Sequence, residues 1–193
     1  MLKDLVLANR SCRGYDYSRK VTRDELLEMI DITRHAAAGV NMQPLKYYLI
    51  YDDEKADLIT SMVKFGANLP ELGLPFKGTE PPAYIIMCHD KEVNPAVDFF
   101  RCDIGICAQT ITLAATEMGL AGCMIGNYNK DKVSEALGLD ERFSVELIIS
   151  IGKSIEEVKI VDLEEGQSHK YYRDENGIHC VPKRKLEDII IND

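Results

Sequence analysis

No C-x-x-C pair occurs among the six cysteines and no H-x-x-x-H among the four histidines, so the spacings that build zinc clusters or thiol redox sites are missing. Cys102 and Cys107 are too far from a helical repeat to share one face, and with Cys12, Cys88, Cys123 and Cys180 they read as buried thiols. No metal site is expected. A membrane span is absent too: the longest apolar stretch, between Asn94 and Gly119, is cut by Asp98, Arg101, Asp103 and Glu117. The opening apolar run stops at Asn9-Arg10, too soon for a targeting peptide, so a cytoplasmic location is expected. Positive charge is scarce, with 23 Lys and Arg against 32 Asp and Glu and a formal net charge of −9, which argues against nucleic acid or an anionic membrane as partner. No internal repeat or low-complexity tract divides the chain. One domain over 1–193 is expected, with 154–193 as an extended C-terminal segment.

What the chain does have is a strong central unit. Asn94 and Pro95 suit the start of a helix. Val97, Phe100, Ile104, Cys107, Ala108, Ile111, Ala115 and Met118 recur at helical spacing, and Gly119 is placed to end the run. Ile106, Leu113 and Ala114 widen the apolar surface, which predicts a helix buried on most sides. The run Gly122–Gly126 follows as a short strand bounded by glycines. Gly119, Gly122 and Gly126 do not form a dinucleotide fingerprint, because they follow a helix and precede a strand, the reverse of the order that fingerprint needs.

Around this unit the spacing predicts a helix over 2–8 and a second from the capping box Thr22-x-x-Glu25 to about Ala37. Strands are expected near 46–51, 83–88 and 144–151, a helix near 54–63, and a short helix capped by Asn129 and ended by Gly138. Residues 65–82 are too rich in Pro and Gly for a regular element and read as a binding loop or lid. The acidic stretch 156–165 reads as an extended connection, and Asn176-Gly177 as the turn of a hairpin between 171–173 and 178–181. The tail from Pro182 is basic and then apolar, which predicts docking on another surface.

Four segments carry groups suited to chemistry. Arg10, Ser11 and Arg13 can converge on one anion if the segment is helical or tightly turned, although taken alone the segment reads more simply as a solvated basic helix end. Asn41 and Gln43, before Pro44, offer paired donors and acceptors to a flat heteroaromatic edge, although an ordinary turn uses the same residues. Asp103-x-Gly105 lies near the start of the central helix, and Lys183-Arg184 makes the tail basic. In this order and spacing the segments resemble the FMN-dependent nitroreductase family over nearly the whole chain. The pattern departs from that family at Leu45, where an aromatic is common, and after Gly152, where a proline is common.

The resemblance implies an α+β fold with a mainly antiparallel central sheet flanked by helices. It also implies a homodimer with FMN at the interface and a C-terminal tail reaching over the partner. Arg10, Ser11 and Arg13 would hold the FMN phosphate with help from Lys183 and Arg184, while Asn41, Gln43, Ile125 and Gly126 would lie near the flavin ring. NAD(P)H would supply hydride to flavin N5, and a nitroaromatic or quinone-like acceptor would take the electrons in a ping-pong cycle. No catalytic side chain is required. Rival readings are a same-fold reductive dehalogenase or flavin-degrading enzyme, and a non-catalytic FMN-binding protein.

Overall fold

The computed structural model describes residues 1–192. Helix α1 (Leu2–Ala8) leads into an irregular segment, and α2 (Arg23–Thr33) begins at the capping box expected for it. The Thr22 side chain accepts from Glu25 N, and Glu25 answers by accepting from Thr22 N at 2.8 Å. Strand β1 (Leu45–Ile50), α3 (Asp53–Met62), β2 (Ala83–Asp90) and α4 (Arg101–Glu117) follow. Strand β3 (Ala121–Ile125), α5 (Lys130–Ala136) and β4 (Phe143–Gly152) complete the main body.

The main sheet has the order β1-β2-β4-β3, and every neighbouring pair in it is antiparallel. Strand β2 is buried along its whole length, so its two faces feed two cores. Ala83, Ile85 and Met87 pack with Leu26 and Met29 of α2 and with Ala108, Ile111 and Ala115 of α4. The alternate residues Tyr84, Ile86 and Cys88 pack with Ile59 of α3 and Val133 of α5. Burying each such Ile or Met contributes about 1.5–3 kcal/mol, which is why a strand apolar on both faces belongs in the middle layer.

Two sequence expectations change. The central helix does not begin at Asn94-Pro95: a 3-10 turn, Val97–Phe100, precedes α4. His89 Nε2 lies 2.6 Å from the Asn94 carbonyl, and the Asn94 side chain accepts from Ala96 N, so Asn94 caps a local turn ahead of the 3-10 segment. Gly119 does end the helix, with φ of +74°. The stretch 156–165 is not only a connection, since it contains β5 (Val158–Asp162). Strand β5 pairs in parallel with β7 (His179–Lys183), and β6 (Tyr172–Arg173) pairs antiparallel on the other side of β7. A parallel partner 21 residues further along the chain, Val158 opposite His179, leaves no local period to read. The hairpin at Asn176-Gly177 forms as expected. The apolar tail, by contrast, lies exposed on this chain, with Leu186, Ile189 and Ile190 all solvent-facing. Among the described residues no helix is long and apolar enough to cross a membrane.

Candidate functional site

The segment after α1 is tied down at several points. Asn9 Nδ2 donates to Thr112 Oγ1 of α4 at 3.0 Å, and Cys12 N donates to Gly122 O of β3 at 3.2 Å. The buried Tyr15 hydroxyl donates to Cys12 O at 2.7 Å and lies 2.8 Å from Ser150 Oγ. A side chain at Gly122 would press on Thr112 and on the backbone of β4, so glycine there allows the segment, α4 and the sheet to meet. Burial pushes the Cys12 thiol up to about 12, which makes it structural rather than nucleophilic.

Fixed in this way, Arg10, Ser11 and Arg13 open onto a cavity of about 360 Å³. Gln109 and Thr112 of α4, Gly122 and Met124 of β3 close part of the wall, and Tyr171, His179, Val181 and Lys183 close the rest. No carboxylate lines it. Three cations therefore converge in a chain of net charge −9, and none of the three forms a salt bridge among the described residues. Glu156 is occupied elsewhere: it accepts from Arg13 N at 2.6 Å and pairs with Arg173.

The buried Arg13 guanidinium lies over the Tyr171 ring, 4.6 Å from its centroid, with Nη1 3.2 Å from His179 Nε2. Arg10 donates to Val6 O at 2.7 Å, and burial lowers its guanidinium from the ordinary value. Arg10 Nε, Arg13 Nε and His179 Nδ1 are buried without a hydrogen-bond partner, although buried N–H groups are almost always satisfied. Burial, reinforced by Arg13, holds the His179 pKa below its ordinary value. Such a donor-rich wall suits a phosphate or another compact anion.

The second expected cluster lies elsewhere on the chain. Gly39–Asn41 forms a 3-10 turn, and Val40, Asn41 and Gln43 all have left-handed backbone, with φ of 45°, 55° and 54°. For a β-branched residue such as Val40 this is strained, and tertiary contacts must hold it. The buried Asp103 carboxylate does so by accepting from Gly39 N, at 3.0 Å to each oxygen. Gln43 Nε2 donates to Asn41 O at 3.1 Å, and Gln43 faces a separate cavity of about 250 Å³ beside Pro44, Tyr47, Asp103 and Cys107. Asp103 and Thr112 stand on opposite parts of α4, about 13 Å apart along its axis. One chain thus keeps the Asn41–Gln43 turn apart from the cationic cavity.

Two further placements differ from expectation. Ile125 points into the core beneath the sheet, because side chains alternate along β3 and it is Gly122 and Met124 that face the cavity. Its neighbour Gly126 is exposed. Arg184 lies just past the end of β7 and lines a different cavity, with Glu164, Glu187 and Asp188. Sequence reasoning missed His179 and Tyr171. His179, Val181 and Lys183 share one face of β7, so counting back by twos from the expected Lys183 would have found the histidine. Tyr171 reaches Arg13 only through the tertiary fold.

A family model described as the nitroreductase family matches residues 6–153. A Bacillus subtilis protein provisionally named an NAD(P)H nitroreductase, YdgI, is 23% identical over 185 residues, covering 80% of this chain and 88% of that one. An FMN-dependent nitroreductase structure from Clostridium difficile R20291 is 28% identical, covers 78% of this chain and 87% of its own, and superposes with a TM-score of 0.64. A nitroreductase-type structure from Exiguobacterium sibiricum in complex with FMN shares the fold at 22% identity and a TM-score of 0.66, covering 81% of this chain and 89% of its own.

Proposed function

The chain belongs to the nitroreductase family, and from that premise we propose that it is an FMN-dependent, NAD(P)H-consuming oxidoreductase that works as a homodimer. The observation that carries this reading is the carboxylate-free cavity in which Arg10, Arg13 and Lys183 converge and buried N–H groups lack partners. A phosphate there would satisfy those donors and offset the desolvation cost of a buried guanidinium. Ser11 would add a hydroxyl donor at the cavity edge.

The same geometry supports the dimer reading. Asn41 and Gln43 offer amide groups suited to a flavin edge, yet on their own chain they lie about 13 Å of helix from the phosphate cavity. A second copy packed along α4 would bring its turn to the first copy's cavity. Phe99 of the preceding 3-10 segment and Ile106 of α4 are exposed apolar side chains that suit such packing. Gly126 and the backbone of Ile125 would then flank the ring. Held by these residues, FMN would supply the hydride and electron-transfer chemistry between NAD(P)H and a flat nitroaromatic or quinone-like acceptor, so no side-chain acid, base or nucleophile would be needed. The protein's own task is to hold the phosphate, present the Gln43 amide and leave one face open to donor and acceptor in turn.

The direct test is the visible spectrum of the purified protein without oxygen, before and after NADPH and then NADH. Bleaching of an oxidised-flavin spectrum is the expected result. Bound FMN that resists both nicotinamides would replace the enzyme reading with a binding protein. Failure to bind added FMN would overturn the proposal.

A further inference from the structure

On the reading above, that the cavity takes a phosphate, we infer that His179 is a positioning residue of the site and that, as a neutral imidazole, it makes anion binding acid-sensitive. A guanidinium only donates, so the 3.2 Å contact between Arg13 Nη1 and His179 Nε2 requires a lone pair on Nε2. The neutral ring then carries its proton on Nδ1, one of the buried nitrogens without a partner. Among the described residues no other side-chain acceptor bonds the Arg13 guanidinium, whose opposite flank is the Tyr171 ring. His179 and Tyr171, with ring centroids 5.1 Å apart, thus fix where the Arg13 fork points.

Protonating His179 would set N–H against N–H and release that fork. The groups facing the ring are consistent with a neutral resting state. Arg13 and Arg173 of β6 oppose protonation, and Glu156 favours it but is already paired with Arg173. Tyr171 stacks beside the ring, and Arg10 and Lys183 add positive charge across the cavity. From the β5 side the Glu157 carbonyl accepts the His179 backbone N–H at 2.9 Å and adds no titrating group to the ring. With burial and Arg13 holding its pKa below the ordinary histidine value, the switch operates on the acid side of neutrality.

The test is FMN binding to the flavin-free full chain, followed by flavin fluorescence from about pH 7.5 to about pH 5, with inorganic phosphate as competing probe. Wild type is compared with His179→Leu and His179→Gln. The leucine variant is expected to bind roughly tenfold more weakly near neutrality, the scale of one lost bond to a charged group. Glutamine offers an oxygen near the Nε2 position, so it should recover most of that loss. It does not titrate, so its affinity should fall less in acid than that of wild type. Protonation of the phosphate itself affects both proteins alike and cancels in the comparison. Parallel pH curves for wild type and His179→Gln, or a glutamine variant no better than leucine, would overturn the assignment to His179 alone. Wild type that binds neither FMN nor phosphate would overturn the phosphate site and this inference with it.

Discussion

Arg13 combines near-complete burial with a guanidinium that faces an aromatic ring, a neutral imidazole and an anion-sized cavity. Arg13→Ala should therefore weaken FMN binding by about 1.5–3 kcal/mol, the range for hydrogen bonds to charged groups, as read by equilibrium titration. Unchanged affinity would remove Arg13 from the site. A second residue-scale prediction concerns acid stability. Arg142 donates to the buried Asp90 at 2.6 Å and holds its carboxyl below the ordinary carboxylate range. A folded-state pKa that is depressed gives stability present above the unfolded value and lost as pH falls through the folded one. Arg142→Gln should lower the urea midpoint at neutral pH, and the gap to wild type should close in acid, below about pH 4. A gap that persists at low pH would assign the effect to packing instead. At this scale the sequence was legible where charge and type suffice, as for Arg10 and Arg13. It was silent where a partner is supplied from far along the chain, as for Tyr171, 158 residues beyond Arg13.

The loop 65–82 reaches the site at Tyr171: Asn68 N donates to the Tyr171 hydroxyl at 3.0 Å, and the same ring carries Arg13 on its face. Tyr171→Phe keeps the ring and removes the acceptor, so amide exchange at Asn68 should speed up while FMN affinity falls by less than in Arg13→Ala. Equal exchange rates in the two proteins would show that this bond does not order the loop. Elements with strong local signals were read correctly, notably α2 with its capping box and α5 with its Asn129 cap and Gly138 stop. Strand β5 was not, because its defining partner β7 lies across the tail hairpin. The start of α4 was placed too early: the Asn94-Pro95 signal opens a turn and the 3-10 segment Val97–Phe100, and the α-helix begins only at Arg101.

A chain of net charge −9 that gathers three cations into one cavity has an uneven field, so salt should weaken its capture of an anion. The larger question at this scale is assembly. If a second copy completes the site, a charge placed on the exposed face of α4 should break both assembly and cofactor binding. Ile106→Glu is expected to sediment as a monomer that retains its helical content and loses most of its FMN affinity. A monomeric variant that binds FMN as wild type does would show that one chain holds the cofactor alone. The sequence by itself determined most helices and strands through periodicity and capping, the family through the order and spacing of its motifs, and the cationic residues of the cavity through residue type. Only the tertiary structure decided that Ile125 and Arg184 turn away from that cavity, that His179 and Tyr171 hold Arg13, and that the Asn41–Gln43 turn stands apart from it. Those outcomes depend on strand register and on contacts between distant segments, where a shift of one residue exchanges the two faces of a strand and local sequence carries no record of the partner.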